Sequence, residues 1–302
     1  MPELPEVETM CRGLAPIVGR HVVSLAKARC RCRPIQLDPS PVAMRRRLIG
    51  QSVSEIGRAG KRVAIHFTSG DVLVIEPRMT GLVLLCDRPG RQHLRFQMGL
   101  AAHNGDGPVD LLYWDRRGLG SVRLFERDQF KRQFSLERLG PDAMLITVDQ
   151  LRDRLAGSRR EIKVALLDQR AVAGIGNLYA SEILHVARLH PQAPCNRLRP
   201  RDWRNLHAAM RQVLAEAIHY EGSTLSDGTY RNALNRQGQY QNHHRVYNLQ
   251  GKPCRRCGRG SIVRLVQAQR STYYCASCQR TRAPLREDRT ERKICIATRV
   301  PF

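Results

Sequence analysis

Residues 254–278 read CRRCGRGSIVRLVQAQRSTYYCASC, and this stretch decides the local fold of the C-terminal part of the chain. It holds two Cys-x2-Cys pairs separated by 17 residues, formed by Cys254, Cys257, Cys275 and Cys278. This spacing is typical of a tetrahedral zinc site, and the runs 262–266 and 272–274 predict a hairpin between the pairs. A redox pair or a catalytic metal is the alternative, but four thiolates leave no open position for a substrate. We therefore expect one structural Zn²⁺, which should supply most of the folding free energy of this module.

The other end of the chain begins Met1-Pro2-Glu3. If Met1 is removed, Pro2 becomes a free N-terminal secondary amine. Such an amine can attack a sugar carbon and form an iminium intermediate, as a lysine amine does in Schiff-base catalysis. Together with the small metal module and the basic surface described next, this terminus indicates an enzyme that acts on nucleic acid.

The chain has 302 residues, enough for two domains with hydrophobic cores. Its net charge of +24, from 51 Lys+Arg against 27 Asp+Glu, favours a polyanionic partner, of which nucleic acid is the first candidate. A ribosome-associated or merely adhesive basic protein is the alternative, and an anionic membrane surface is less favoured. Aromatic residues make up only 5%, which argues weakly against a stacking platform for single strands.

The sequence has neither an apolar run of membrane-spanning length nor a signal-peptide pattern at its start. We therefore expect a soluble, cytoplasmic protein whose cysteines do not form disulfides. The six cysteines outside the paired motif are interpreted as small core or surface residues. The spacing of Cys30-x-Cys32 is too tight for the usual zinc pair.

The N-terminal part alternates short apolar runs with turn residues, which predicts a β-sandwich or barrel. Pro5 suits the first turn of a helix, which apolar residues at helical spacing extend to about Ala15. A second helix is predicted from Ser40-Pro41 through Leu48. The predicted strands cover residues 22–23, 63–67, 72–75, 82–85, 94–98, 109–114 and 121–125.

From about residue 134 the pattern becomes helical. Asp202 is predicted to cap one helix and Asn177 another, because their short polar side chains accept hydrogen bonds from free N–H groups. Segment 222–242 is rich in Gly, Asn and Gln and has few apolar anchors, so we expect a mobile loop. Residues 281–302 form an Arg-rich tail that we expect to be poorly ordered.

Segment 171–177 permits two interpretations. Its glycines let backbone approach a phosphate, and the helix start at Asn177 offers free N–H groups to an anion. A plain helix–helix turn with an Asn cap fits the same residues. Lys163, one helix earlier, could add a phosphate contact, although an exposed lysine is usually only solvated.

Three charged residues near the N-terminus, Glu3, Glu6 and Lys61, have no function that the pattern alone assigns. Lys61 follows a turn between two predicted strands, where a lysine is normally solvated. Glu3 and Glu6 flank Pro5, and acids in the first turn of a helix normally only complement its dipole.

The order of motifs along residues 1 to about 280 resembles that of bacterial formamidopyrimidine-DNA glycosylases. The resemblance begins at Met1-Pro2-Glu3-Leu4-Pro5-Glu6-Val7-Glu8-Thr9. It continues through Gly60-Lys61, Met79-Thr80-Gly81, Leu166-Leu167-Asp168-Gln169, Ala173-Gly174-Ile175-Gly176-Asn177-Leu178-Tyr179-Ala180 and Val246-Tyr247. It ends with Pro253-Cys254-Arg255-Arg256-Cys257-Gly258 and Arg270-Ser271-Thr272-Tyr273-Tyr274-Cys275.

The resemblance implies an α+β fold in which double-stranded DNA lies in a basic cleft between domains. The implied domains are a catalytic β-sandwich flanked by helices (1–133), a helical helix–two-turn–helix domain (134–245), a zinc finger (246–280) and a basic tail (281–302). The implied activity is excision of oxidised purines, such as 8-oxoguanine and formamidopyrimidines, followed by cleavage at the abasic site through β,δ-elimination. The damaged nucleotide must leave the base stack before its sugar can be attacked.

The resemblance also assigns catalytic roles by matching position. Pro2 matches the nucleophile that attacks C1′, and Glu3 matches the acid that protonates the deoxyribose ring oxygen. Glu6 matches a supporting carboxylate, and Lys61 matches a lysine that binds a phosphate beside the lesion and assists catalysis. An α-amino group titrates near roughly 8, so a useful fraction of Pro2 is neutral at pH 7.

Further matches concern the DNA. Lys163, Asn177 and Arg270 resemble phosphate clamps around the flipped nucleotide, and Met79 resembles a side chain that fills the vacated space. Segment 222–242 takes the place of the family's lesion-capping loop and diverges after Leu225, so it leaves the preferred base open. The tail 281–302 extends past the usual end of the family and either adds nonspecific DNA affinity or is inert.

One motif departs from the family pattern. Where the family usually has Asp-Pro-Arg-Arg-Phe-Gly, this chain has Asp115-Arg116-Arg117-Gly118-Leu119-Gly120. Arg117 can keep the role of pairing with the orphaned cytosine. Leu119 replaces the aromatic wedge, and it has no ring to stack although it remains apolar. We therefore expect weaker interrogation of the lesion or an altered preference for the opposite base.

Three other functions stay open. The first is removal of oxidised pyrimidines with the same nucleophile, which the N-terminal sequence disfavours. The second is a catalytically silent binder of damaged DNA, which intact Pro2, Glu3 and Lys61 argue against. The third is a zinc-ribbon transcription factor, which leaves the N-terminal motif unexplained. We expect a monomer, because the reaction needs no partner subunit.

Overall fold

The computed structural model describes residues 2–85, 90–103, 105–225 and 228–280. Met1 and the tail 281–302 lie outside these residues, and so the expectation that the tail is poorly ordered concerns residues that are not described. The helices are α1 (Leu4–Gly13), α2 (Pro41–Leu48), α3 (Arg127–Gln133), α4 (Val148–Leu155), α5 (Ile162–Leu166), α6 (Asn177–Ala187) and α7 (Pro200–His219). The strands are β1 (Val22–Lys27), β2 (Gln36–Asp38), β3 (Val53–Arg58), β4 (Val63–Phe67), β5 (Val72–Glu76), β6 (Gly81–Leu84), β7 (Leu94–Leu100), β8 (Val109–Asp115), β9 (Ser121–Phe125), β10 (Ile262–Gln267) and β11 (Arg270–Cys275).

The N-terminal strands form the predicted β-sandwich. One sheet has the order β1-β7-β8-β6 and the other β2-β9-β5-β4-β3, and both contribute side chains to one hydrophobic core. The pairs are antiparallel except β2 with β9, which is parallel. All seven predicted strands are confirmed, whereas β2 and β3 were not predicted. Strand β3 lies at a sheet edge and exposes Glu55, so its sequence lacks a continuous apolar run.

Helix α1 joins the two main cores of the molecule. It begins at Leu4 rather than Pro5 and ends at Gly13 rather than Ala15. Leu4 packs into the core of the helical domain, while Val7 and Met10 pack into the core of the sandwich. The N-terminus therefore lies at the junction of the two domains.

The helical domain follows the predicted pattern, but two helix starts differ from it. Helix α7 has Arg199 as its N-cap, and Asp202 is its third residue, with a carboxylate that accepts the Arg199 N–H at 3.0 Å. Helix α6 has Gly176 as its N-cap, so Asn177 is its first helical residue. The predictions that Asp202 and Asn177 are the caps were therefore wrong. In both helices another residue adopts the extended backbone of the cap.

Segment 222–242 is held against the rest of the protein by buried side chains and hydrogen bonds that its sequence did not indicate. Tyr230, Ala233 and Tyr240 are buried, and the Tyr230 hydroxyl donates to the carbonyl oxygens of Glu221 at 3.0 Å and Glu6 at 3.3 Å. The expectation of few apolar anchors was therefore wrong. Residues 226–227, which follow the divergence point at Leu225, lie outside the described part of the chain.

Candidate active site

A cavity of about 420 Å³ opens at the junction of the sandwich, the start of α6, the 222–242 segment and the β10–β11 hairpin. Its lining includes six residues that the sequence singled out, namely Pro2, Glu3, Glu6, Met79, Asn177 and Arg270. Residues that are far apart in the chain thus meet in one space. Lys61, Lys163, Arg117 and Leu119 are not among its lining residues.

Glu3 is buried beneath this cavity at the start of α6. Its two carboxylate oxygens accept the backbone N–H groups of Leu178 at 3.1 Å and Tyr179 at 3.4 Å. A Cβ on Gly176 would overlap this carboxylate, so the close approach needs glycine there. The anion held by this helix start is therefore Glu3, which corrects the interpretation of segment 171–177 as a phosphate loop.

Glu6 is buried one turn further along α1 and is surrounded by donors. Its Oε1 accepts the Tyr179 hydroxyl at 2.5 Å and the Ser223 N–H at 2.8 Å, and its Oε2 accepts the Glu3 N–H at 2.9 Å. Burial raises the pKa of Glu6, and the neighbouring charge of Glu3 raises it further. Glu6 thus fixes the backbone of Glu3, and it ties α1 to α6 and to the 222–242 segment.

Lys61 lies in the tight turn between β3 and β4, and Gly60 in that turn packs near Leu139 and Ala173 of the helical domain. Burial lowers the pKa of Lys61, while the charge of Glu3 raises it and that of Arg270 lowers it. The ammonium has no hydrogen-bond or ion-pair partner among the described residues. Lys61 is therefore a half-buried cation, whereas a lysine in a turn between two strands is normally exposed to solvent.

Lys163 is fully buried, and its ammonium donates to Asn177 Oδ1 at 2.5 Å, to Thr272 Oγ1 at 2.8 Å and to the Ser271 carbonyl oxygen at 3.4 Å. Burial, and secondly the charge of Arg270, lower its pKa to about 8. Asn177 in turn donates from Nδ2 to the Ser271 carbonyl oxygen at 2.9 Å. With its donors engaged in the interior, Lys163 is placed to hold α6 against β11 rather than to touch a phosphate as predicted.

Arg270 and Arg117 are exposed, and neither side chain has an acidic partner within the described ranges. Arg270 begins β11 and lines the cavity, where its positive charge affects both Lys61 and Lys163. An unpaired cation at the rim of a cavity, such as Arg270, can bind phosphate oxygens.

Two adjacent loops carry the side chains predicted to contact the base stack, Met79 on one and Arg117 and Leu119 on the other. A hydrogen bond between Thr80 and Asp115 joins the two loops. The Thr80 hydroxyl donates to Asp115 Oδ1 at 2.6 Å and accepts the Arg117 N–H at 2.9 Å. Met79 is 38% exposed, and Leu119 is half-buried. The side chains predicted to enter the base stack therefore lie on a connected, hydrogen-bonded support.

The four cysteine sulfurs lie within 4.8 Å of one another. The Cys254–Cys278 and Cys257–Cys275 sulfurs are 3.9 and 3.8 Å apart. Zn–S bonds of about 2.3 Å in a tetrahedron place sulfurs roughly 3.8 Å apart, so the set fits one zinc ion. Hydrogen bonds from the Gly260 and Arg259 N–H groups lower the pKa of Cys257 to about 6, which favours the thiolate ligand. The chain thus carries the predicted structural zinc site in a β10–β11 hairpin.

Sequence reasoning missed several residues that support these sites. His185 of α6 is buried with Nε2 3.4 Å from Cys254 Sγ, and burial lowers its pKa to about 4. A neutral imidazole N–H facing a zinc-bound thiolate would orient that ligand. Tyr179 and Ser223 hold Glu6 in the same supporting way. Because these residues come from distant parts of the chain, helical spacing gives no signal for their contacts.

Comparison with known proteins gives matches along nearly the whole chain. The models for the formamidopyrimidine-DNA glycosylase N-terminal domain and H2TH domain match residues 1–122 and 139–229, and a zinc finger found in FPG and IleRS matches residues 251–281. A formamidopyrimidine-DNA glycosylase of Chloroflexus aurantiacus is 40% identical over 284 residues, which cover 93% of this chain and 98% of the relative.

Two solved structures are similar throughout. The MutM (Fpg) protein of Thermus thermophilus has a TM-score of 0.78 at 36% identity, covering 92% of this chain and 98% of that one. A complex of Lactococcus lactis Fpg with DNA containing an abasic site has a TM-score of 0.81 at 31% identity, covering 92% and 100%. Among the described residues, no helix combines the length and apolarity needed to cross a membrane.

Proposed function

Because this chain belongs to the formamidopyrimidine-DNA glycosylase family and is thereby a base-excision repair glycosylase, we propose that it excises oxidised purines and then cleaves the strand as a lyase. The observation that carries the proposal is the position of Pro2 and Glu3 together at a cavity at the domain junction. Glu3 holds its place through two N–H groups of α6, so the residue beside the nucleophile is fixed from the opposite domain.

The reaction begins when the neutral amine of Pro2 attacks C1′ of the flipped nucleotide. The new C1′–N bond forms as the bond from C1′ to the base breaks, and the departing base takes a proton from solvent water. Glu3 accepts the proton that the Pro2 nitrogen releases and delivers it to the ring oxygen, which opens the sugar as the iminium forms. Removal of a C2′ proton then expels the 3′ phosphate, and a second elimination expels the 5′ phosphate.

The cations of the site take the DNA contacts in this proposal. Lys61 and Arg270, which have no acidic partner among the described residues, bind phosphates on either side of the flipped nucleotide. Lys163 acts indirectly, because its ammonium orients Asn177 and the strand that carries Arg270. Glu6 supports Glu3 through the backbone and stays out of the proton transfers.

The loops beside the cavity engage the stack and the opposite strand. Met79 enters the space that the flipped nucleotide leaves, and Arg117 pairs with the orphaned base. Leu119 acts as an apolar wedge without stacking. The enzyme is proposed to work on double-stranded DNA as a monomer in the bacterial cytoplasm, and sedimentation of the free protein and of its DNA complex tests the monomer.

The test is covalent trapping. Intact mass first establishes that Met1 is absent and that zinc is bound. The protein is then mixed with a duplex containing 8-oxoguanine opposite cytosine, and borohydride is added to reduce any iminium. An adduct that maps to Pro2 is expected, and the Glu3→Gln variant should form it far more slowly. If an adduct forms only with an oxidised pyrimidine or an abasic site, the chemistry stands but the substrate differs from the proposed one. If no duplex gives an adduct, the protein is a catalytically silent binder of damaged DNA.

A further inference from the structure

Two cysteines outside the catalytic cavity form a close pair after strand β1. Cys30 Sγ receives a hydrogen bond from Arg95 Nη1 at 2.9 Å and donates to the Gln92 carbonyl oxygen at 2.9 Å. Cys32 Sγ lies 3.7 Å from His93 Nδ1. Cys32 is exposed and Cys30 is half-buried, so a small solute reaches the pair from solvent.

The two sulfurs lie against the same acceptor, the Gln92 carbonyl oxygen, which is 2.9 Å from Cys30 Sγ and 3.8 Å from Cys32 Sγ. The pKa of the Cys32 thiol is raised, first by its hydrogen bond with Cys30 and then by partial desolvation. Cysteines separated by one residue in an open segment can bring their Cα atoms within the roughly 4.4–6.8 Å that a disulfide needs. Thiolates react with peroxides much faster than thiols. We assign Cys30, whose sulfur contacts the Arg95 guanidinium, as the attacking sulfur, and the more exposed Cys32 as the resolving thiol.

Arg95 connects this pair to the loop that carries Arg117 and Leu119. Its side chain is buried, and Nε donates to the Asp115 carbonyl oxygen at 2.7 Å. The same Nη1 that contacts Cys30 donates to the Arg33 carbonyl oxygen at 3.0 Å.

Gly118 adds a second contact between the cysteine segment and this loop. Its φ is +63°, and a Cβ there would overlap the Arg33 carbonyl oxygen. The segment 30–33 and the loop 115–120 thus share one support.

We propose that Cys30 and Cys32 are a modification site, a dithiol that a hydroperoxide converts to a disulfide. The Cys30 thiolate attacks one peroxide oxygen, so that an S–O bond forms, the O–O bond breaks and hydroxide leaves. The Cys32 sulfur then attacks the Cys30 sulfenic acid, an S–S bond forms, and water leaves with the thiol proton. The two thiols lose two electrons in total, and hydrogen peroxide is reduced to two molecules of water.

The disulfide changes the support of the 115–120 loop. Once bonded to Cys32, the Cys30 sulfur has no proton left to donate to the Gln92 carbonyl oxygen, and its position against Arg95 Nη1 must change. Loss of one hydrogen bond of ordinary strength corresponds to about a fivefold change in an equilibrium constant. We expect the oxidised protein to bind lesion duplex about fivefold more weakly, and this consequence rests on the proposed function.

The first experiment reads the modification itself. Zinc-loaded full-length protein is treated with graded hydrogen peroxide, and mass spectrometry of peptides is compared with zinc release. The segment containing Cys30 and Cys32 should lose two hydrogen atoms at peroxide concentrations that leave zinc bound. In the Cys32→Ser variant, Cys30 should accumulate as a sulfenic acid that reacts with dimedone, and the Cys30→Ser variant should not react with peroxide. The Arg95→Lys variant should be oxidised at nearly the wild-type rate, whereas Arg95→Gln should be oxidised several-fold more slowly.

Three results would overturn the proposed modification site. The first is that Cys30 and Cys32 are still reduced at the peroxide concentration that begins to release zinc. The second is that Cys30→Ser reacts with peroxide as fast as wild type, and the third is that Arg95→Gln and Arg95→Lys are oxidised at equal rates. The second experiment measures duplex affinity before oxidation, after it and after reduction by dithiothreitol, with Cys30→Ser/Cys32→Ser as the insensitive control. Unchanged affinity of the disulfide form would overturn the link through Arg95. If the reduced protein binds no lesion duplex at all, the proposed function fails while the peptide measurement still decides the site.

Discussion

Replacement of Gly176 by alanine tests the placement of Glu3 most directly. Gly176 is the N-cap of α6, and a Cβ at this position would overlap the carboxylate carbon and both oxygens of Glu3. The nearest atoms belong to a buried carboxylate that two N–H groups hold, so Glu3 must leave its place. We expect Gly176→Ala to damage catalysis through a residue that it does not itself remove.

The magnitude follows from the bonds that are lost. Glu3 accepts N–H groups from Leu178 at 3.1 Å and Tyr179 at 3.4 Å, and hydrogen bonds to charged groups contribute about 1.5–3 kcal/mol each. Because the second bond is long, we expect a loss of about 3 kcal/mol in the free energy of unfolding. Displacing Glu3, the proposed proton-transfer group, should slow excision by about 100-fold or more.

The assay combines single-turnover excision on an 8-oxoguanine duplex with denaturant unfolding and zinc content. Gly157→Ala is the matched control, because a Cβ there meets no atom within 4 Å and should change none of the three quantities. The double variant Glu3→Ala/Gly176→Ala should be about as stable as Glu3→Ala alone, since the overlap is then gone. Excision by Gly176→Ala within about twofold of wild type would refute the proposed role of Glu3.

The remaining predictions concern the buried lysine, the zinc site and the wedge. Lys163→Met should cost about 2–4 kcal/mol, because it leaves Asn177 Oδ1 and Thr272 Oγ1 without their donor. The folded pKa of Lys163 is lowered from 10.5 to about 8, so the unfolded chain binds more protons between these values. The stability of wild type relative to Lys163→Met should therefore rise with pH across that window in urea titrations, and a flat difference would contradict the assignment. Removal of zinc by a chelator, or Cys254→Ala, should abolish duplex binding in a gel-shift assay through loss of the hairpin that carries Arg270, whereas Cys195→Ala should retain one zinc. Leu119→Phe should increase discrimination between opposite cytosine and opposite adenine, and unchanged excision ratios would count against the wedge assignment.

The strands of the sandwich and the zinc hairpin were predictable because their signals are local. Apolar runs such as 63–67 and 109–114 appear in the structure as β4 and β8, and the cysteine spacing specifies its own ligand geometry. Strand β3 was not predictable in this way. Its residues gain their partner from β4 and expose one face at the sheet edge, so the sequence shows no strong period.

Six of the predicted site residues meet at one cavity, but the contacts among them were not predictable from the sequence. Spacing could not show that the α6 N–H groups hold Glu3, because that contact joins residues 175 and 176 positions apart. The same reason explains Lys163, which the pattern presented as a surface charge. Its burial arises only when β11 packs against α6 and supplies the Thr272 hydroxyl and the Ser271 carbonyl. Tertiary contacts thus convert an ordinary exposed lysine into an interior support.

The proposed nucleophile, Pro2, would be the terminal residue once Met1 is removed, and this position imposes a requirement on the fold. A terminal residue has covalent restraint on one side only, and productive attack needs reacting atoms held to within fractions of an ångström. In this protein the Leu4 N–H donates to the Gly174 carbonyl oxygen at 3.0 Å, and Glu6 accepts the Ser223 N–H at 2.8 Å. These bonds and the burial of Leu4 fix α1 to the helical domain, while Val7 fixes it to the sandwich. Pro2 is therefore positioned by the bonds that join the start of α1 to α6, and a change that breaks the contacts of Glu3 with α6 should displace Pro2 as well.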